Sequence, residues 1–333
     1  MNIRRLALSV CVAAALGTFA TDAVRAEDKF LALGTASVRG TYYPVGNTLC
    51  KLINENRDIH LVRCLSYPTG GSVYNIQALT SGELDLAITR SDLAYKAFNG
   101  LDQFAAIGAN RALRTVTNLY SQPVVITVRR DSGIETFADF QGKVINIGNR
   151  GSGKRAIADQ MFKMMGWTEV DFAETTEYST QGQVKPFCDK KVDILIESIG
   201  LPAPLYDKLA AECGAKFIDI PDVIAAGFRK SGPFFFDYKI PAGLNRNNDN
   251  DVKTVGIKVV LLSLTTVSPE TVETIAGAIF GEKGKFQKSH PALSLSDPDS
   301  MVNEGIHVPL HDGAKKYYED NGLLSKTTAS TAK

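Results

Sequence analysis

A short apolar run, a small polar turn and a helical stretch recur in that order along this chain. Leu31-Ala-Leu-Gly34 leads through Gly40-Thr-Tyr-Tyr-Pro44, with Pro44 at the expected first helical position, into a helix over 45–56. Residues 59–65 alternate as a strand, Thr69-Gly-Gly-Ser72 follows, and a helix is expected over 73–80. Residues 84–89 form a third strand, ended by Arg90-Ser-Asp92, with Ser91 or Asp92 capping a helix through Phe98. Strands alternating with helices this regularly pair in parallel, because each helix is the crossover between them. The expected fold class is therefore α/β, with doubly wound, mostly parallel sheets. The pattern restarts with a strand at 144–147, and again with one at 192–196 that ends at Glu197-Ser-Ile-Gly200, before a helix over 203–212. A chain of 333 residues exceeds what one core usually organises, so two domains are expected. Residues 254–264, the longest β-type run, suit a strand crossing between them, and 239–251 read as a loop.

The turn Gly148-Asn-Arg-Gly-Ser-Gly-Lys-Arg155 lies between one such strand and its helix. The first amides of a helix have no intrahelical acceptor, its dipole is positive there, and glycine lets a ligand approach the backbone. Such a turn is an anion cradle. Gly148, Gly153 and Lys154 have the spacing of a nucleotide phosphate loop, but Arg155 stands where that loop needs a hydroxyl for magnesium. The reading is an anion-binding helix start without phosphoryl transfer; the plainer alternative is a Ser-capped start that binds nothing.

Arg4 and Arg5 precede an apolar core over 6–17, and Val24-Arg25-Ala26 supplies small residues for cleavage after Ala26. Residues 1–26 read as a signal peptide, and no later run is long enough to span a bilayer. Four cysteines follow it, and in an oxidising compartment four allow three disulfide connectivities. Spacing favours Cys50–Cys64 and Cys188–Cys213. The cysteine spacing and four scattered histidines match no zinc pattern, so neither a metal nor a cofactor is expected. A net charge of +1 with no long basic run gives no reason to expect nucleic acid.

Seven motifs in order carry a resemblance: Gly34-Thr with Gly40-Thr-Tyr-Tyr-Pro-Val-Gly46, Thr69-Gly-Gly-Ser-Val-Tyr-Asn75, Gly82-Glu-Leu-Asp-Leu-Ala87 with Ser91-Asp92, Gly148 with Gly151-Ser-Gly153, Gly200-Leu-Pro-Ala-Pro204, Ile240-Pro-Ala-Gly243 and Pro309-Leu-His-Asp-Gly-Ala314. Together they resemble the TAXI family of TRAP-transporter solute receptors over nearly the whole exported chain. The resemblance implies a type II-like, two-lobed periplasmic binding protein rather than an enzyme. One lobe would comprise 27–124 with 260–333 and the other 125–259, hinged near 124–130 and 254–264. It further implies a periplasmic location, a small organic anion such as glutamate or a related carboxylate, and delivery to the membrane subunits of an ion-driven TRAP permease.

Ligands in open α/β sheets bind at the carboxyl ends of the strands, where these turns gather. The candidate ligand residues are Gly40, Thr41, Tyr42, Ser72, Asn75, Arg90, Ser91, Ser152, Gly153, Lys154, Ser198 and Gly200. Arg39, Arg90 and Lys154-Arg155 depart from the family's usual small or uncharged residues. The extra cations suggest a dianionic ligand, with Arg90 forking onto its second carboxylate; pairing of Arg90 with Asp85 or Asp92 is the alternative. Two rival functions remain. One is a receptor for an ATP-driven importer or a sensor kinase; the other is an exported serine hydrolase using Ser152 or Ser198 with His60, His290, His307 or His311.

Overall fold

A computed structural model describes residues 29–281 and 284–324. The signal segment with its cleavage site at Ala26 therefore lies outside the described residues. Among the described residues ten strands are seen: β1 Lys29–Gly34, β2 Val62–Tyr67, β3 Leu86–Arg90, β4 Leu113–Arg129, β5 Val144–Asn146, β6 Glu174–Thr176, β7 Ile194–Ser198, β8 Ala215–Ile218, β9 Phe235–Ile240 and β10 Val252–Leu264. The helices are α1 Tyr42–Glu55, α2 Arg57–His60, α3 Ser72–Ser81, α4 Ser91–Asn99, α5 Gly153–Met165, α6 Val184–Cys188, α7 Pro204–Cys213, α8 Asp222–Lys230, α9 Pro269–Phe280, α10 Lys285–Lys288, α11 Pro298–Asn303 and α12 Asp312–Asp320.

The strand order is β2-β1-β3-β10-β4-β7-β5-β6, with β9 also on β10 and β8 also on β4. β1, β2 and β3 run parallel, as do β5, β6 and β7. The two long strands β4 and β10 are antiparallel to their neighbours and pair with each other from Leu113–Leu264 to Pro123–Gly256. Each parallel group thus meets an antiparallel strand at its inner edge. β3 is buried at every position, as a strand covered on both faces must be.

Apolar side chains collect on either side of the crossing. One cluster joins β1, α1 and α9 around Leu33, Leu49 and Ile275, and another gathers α3, α4 and Leu262. Beyond the crossing, Ile126, Ile145, Ile196 and Phe228 form a third, and Leu195, Tyr206 and Phe217 belong to a fourth. The third includes Phe162 stacked on Phe172 at 5.0 Å, with Trp167 edge-on to both.

Both expected disulfides form, Cys50–Cys64 tying α1 to β2 and Cys188–Cys213 tying α6 to α7, with Cα separations of 4.8 and 4.9 Å.

Several local expectations change. α1 begins at Tyr42, so Pro44 stands at the third helical position, still in the first turn where a missing N–H costs nothing. α5 begins at Gly153, three residues before its apolar face. Residues 239–240 of the expected loop are instead the end of β9, and the rest is the polar turn that leads into β10 at Val252. β9 pairs with β10 from Val252–Ile240 to Ile257–Phe235.

Candidate functional site

A cleft of about 500 Å³ opens where β4 passes between the apolar clusters. Its wall is made by the starts of three helices: Gly40-Thr-Tyr42 at α1, Gly70-Gly-Ser72 at α3 and Ser152-Gly-Lys154 at α5. Gln122 on β4, Ser198 at the end of β7 and the turn 179–182 complete it.

The local chemistry explains why those helix starts can meet. Gly148 and Gly151 have φ of +88° and +79°, which reverses the chain ahead of α5. Ser152 is the N-cap of α5: its Oγ accepts from Arg155 N–H at 3.1 Å and donates to the Asn149 carbonyl at 2.6 Å. Gly71, at φ +110°, lets α5 approach closely, since a Cβ there would press on Ser152 Cα at 3.3 Å. The carbonyl of Gly151 accepts from both Val73 and Tyr74 N–H, at 3.0 and 3.1 Å, in the first turn of α3. Asn149 Nδ2 donates to the Gly70 carbonyl at 3.1 Å, and Thr41 Oγ1 to that of Gly200 at 3.1 Å. The walls are joined by these bonds, and much of the donor capacity of α3 is used in them.

The formal charges at the cleft are paired. Lys154 Nζ lies 2.8 Å from Glu197 Oε1 and 3.0 Å from Gln183 Oε1, with both ion-pair side chains about 97% buried or more. Burial holds the Lys154 pKa below the ordinary lysine value against the opposing pull of Glu197. Gln183 Nε2 adds a 2.6 Å bond to Glu197, and Thr180 Oγ1 one at 3.3 Å. The Tyr42 hydroxyl shares a 3.2 Å bond with Ser72 Oγ, and burial pushes its pKa up to about 12, so it remains a neutral donor.

Eight of the twelve candidate ligand residues stand on the cleft wall: Gly40, Thr41, Tyr42, Ser72, Ser152, Gly153, Lys154 and Ser198. Four do not. Asn75 is buried behind the wall, its Nδ2 donating to the Thr35 and Ile88 carbonyls and its Oδ1 accepting from Thr69. Ser91 is buried at the start of α4. Gly200 lets Tyr120 approach, since a Cβ would meet its ring at 2.7 Å.

Arg90 is the correction that matters. Its guanidinium is fully buried, with Nε donating to Asp92 Oδ1 at 3.0 Å, Nη2 to Asp92 Oδ2 and Nη1 to the Gly153 carbonyl. It is a brace from α4 to α5, and its fork is already filled. Asp85, the other candidate partner, accepts instead from Ala32 N–H at 2.8 Å. Arg39 is exposed off the wall, and Arg155 pairs with Asp159 and Glu177 outside the cleft. None of the extra cations is left to face a second carboxylate, so the argument for a dianion lapses.

A model of the NMT1-like family matches residues 33–322. The chain belongs to the NMT1-like family. Among solved structures, the periplasmic binding protein BugD aligns over 89% of this chain and 98% of its own, with a TM-score of 0.52 at 11% identity. A protein from Bordetella bronchiseptica RB50 gives 0.50 at 12% identity, over 88% of this chain and 82% of its own. The aliphatic sulphonate binding protein SsuA of Escherichia coli gives 0.48 at 16%, over 90% and 89%. At these identities BugD and the Bordetella protein establish the fold, that of two-lobed periplasmic binding proteins. No described helix of this NMT1-like chain is long and apolar enough to cross a membrane.

Hydrolase chemistry finds no support in the NMT1-like cleft. Among the described residues no histidine lines it. His60 and His311 bond backbone groups, His290 accepts from Ala292 N–H, and His307 stands edge-on to Phe234. Ser198 Oγ accepts from Gln122 Nε2, which fixes the serine without activating it.

Gln122, Asn149, residues 179–182 and Glu197 were not among the candidates and do line the cleft. Gln122 had a visible signal, since Ser121-Gln-Pro123 interrupts an otherwise apolar stretch. Residues 179–182 had none.

Proposed function

We propose that this protein is an exported, periplasmic solute-binding receptor that captures a small organic anion between two lobes and hands it to a membrane permease. The carrying observation is the convergence of the α1, α3 and α5 starts on one cleft whose ionised side chains already have partners. A carboxylate there gains oriented amide donors and the positive ends of helix dipoles. Charge-assisted bonds of that kind are shorter and about twice as strong as neutral ones. One carboxylate suits this wall, so the favoured class is an amino acid or a related acid bound through a single carboxylate. The candidate contacts are the amides of Thr41, Tyr42, Ser72 and Gly153 and the Tyr42–Ser72 hydroxyl pair, with Lys154 and Ser198 beside them. The Gly40 and Ser152 amides and the Thr41 and Ser152 hydroxyls already donate within the wall and shape it.

The lobes would be 27–124 with 260–333 and 125–259, closing by flexure of β4 and β10. The motif resemblance supports a TRAP-type permease as the partner. Uptake in vesicles should then collapse with the ion gradient and survive ATP depletion; the reverse result would assign the receptor to an ATP-driven importer. The ligand class is tested by melting the exported chain with amino acids, mono- and dicarboxylates, sugars and phosphates. A ligand at 100 times its dissociation constant adds about 2.7 kcal/mol. Stabilisation by carboxylates is the expected result, and stabilisation by sugars alone would overturn the reading.

A further inference from the structure

Gln122 sits on β4 opposite Ile257 of β10 and is 1% exposed. Its Nε2 is held by Ser198 Oγ at 2.7 Å, while its Oε1 has no donor. Among the described residues lining the cleft, no other buried side-chain polar atom lacks a partner. An amide oxygen buried without a donor loses its hydration with nothing in return. A ligand that brings an N–H or O–H to that oxygen removes the deficit, and one that brings a methylene keeps it. Sites built to bond a ligand donor discriminate strongly against the analogue lacking it, because the protein's own polar group is then stranded.

We propose that Gln122 determines specificity by accepting a hydrogen bond from a donor borne beside the ligand's carboxylate. The receptor would thus select 2-amino or 2-hydroxy acids over the same acids without the substituent. This rests on the reading of the cleft as a carboxylate site. The helix starts take the carboxylate, and Gln122, on the strand between them, reads the neighbouring group. The ionised groups contribute little to that choice, because Lys154 and Arg90 are already matched by Glu197 and Asp92.

The test is calorimetry on the exported chain with matched acids: butyrate, 2-hydroxybutyrate and 2-aminobutyrate, then glutarate and 2-hydroxyglutarate. The expected result is binding at least tenfold tighter for the donor-bearing member of each set. Gln122→Met, similar in length but without the acceptor, should bring the members within about threefold. Gln122→Glu keeps an acceptor and adds charge, so it should retain the preference and shift it toward the amino acid. Melting of each variant without ligand reports whether it folds, and if Gln122→Met does not, Gln122→Glu carries the test. Equal binding of matched acids by the unaltered protein, a preference that survives in folded Gln122→Met, or no shift toward the amino acid in Gln122→Glu overturns the assignment. Binding without discrimination sinks only the role of Gln122. No binding by any acid removes the carboxylate reading with it.

Discussion

Replacing Lys154 by Met strands Glu197, a carboxylate about 98% buried, with no cation beside it. Removing one partner of a buried ion pair typically costs about 3–5 kcal/mol. Glu197 keeps its bonds from Gln183 at 2.6 Å and Thr180 at 3.3 Å, so the lower end, about 3 kcal/mol, is expected. Glu197→Gln behaves differently, because the stranded group is then a lysine whose pKa burial already depresses. That lysine sheds its proton in the folded state while the unfolded chain keeps its own up to about 10.5. The unfolded state then binds more protons, so the stability of Glu197→Gln rises with pH. The slope approaches about 1.4 kcal/mol per unit between the lowered folded value and the ordinary lysine range. The double variant carries neither charge and should lose only about 1 kcal/mol, giving a coupling of roughly 2 kcal/mol or more. Urea unfolding at pH 7 and pH 9 measures all four forms. Additive single losses, or a Lys154→Met cost below about 1 kcal/mol, would refute the paired-charge account of this wall.

Three further outcomes follow from the geometry. Cys188→Ser with Cys213→Ser should lower stability by about 3.5 kcal/mol, and the Cys50 and Cys64 pair by about 3, as loops of 25 and 14 residues imply; melting under non-reducing conditions checks both. Burial holds His290, His307 and His311 below the ordinary histidine pKa, so on acidification the unfolded chain takes protons first and stability falls below about pH 6.5. His311→Asn, which retains a side-chain cap for α12, should flatten part of that decline in melting temperature from pH 8 to 5. Gly71→Ala should cost about 1–3 kcal/mol, because φ +110° with ψ −160° is essentially restricted to glycine. It should weaken ligand binding as well, since its new methyl presses on Ser152 in the cleft wall; calorimetry and melting together separate the two effects.

The alternation of strand and helix made the α/β class legible, and the apolar run of β10 marked a long strand. β9, Phe235–Ile240, was hidden because Asp237 and Lys239 break its aromatic run and Pro241 follows at once, and because its register comes from β10, which lies beyond a polar turn. The length of β4 was hidden by Gln122 and Pro123, which interrupt its apolar pattern without ending the strand. At the cleft, Ser152, read as a ligand contact, does form the cap that the sequence offered as the plainer alternative, because capping is local chemistry. Arg90 did not read, because Asp85 and Asp92 are both near in sequence, and what separates them is the Ala32 amide that Asp85 serves. The Lys154–Glu197 pair spans 43 positions and was beyond any local signal.

The matched charges at the cleft also bear on how a ligand arrives. Opposite charges 2.8 Å apart largely cancel at distance, so the wall projects little field into solution. Helix termini act only over their first turn. An anion bound as proposed would therefore be held on contact and not steered from afar, and its capture would depend on concentration and fit and hardly on ionic strength. A receptor of that kind would work at the same rate in fresh and saline surroundings, with its selectivity set after the encounter.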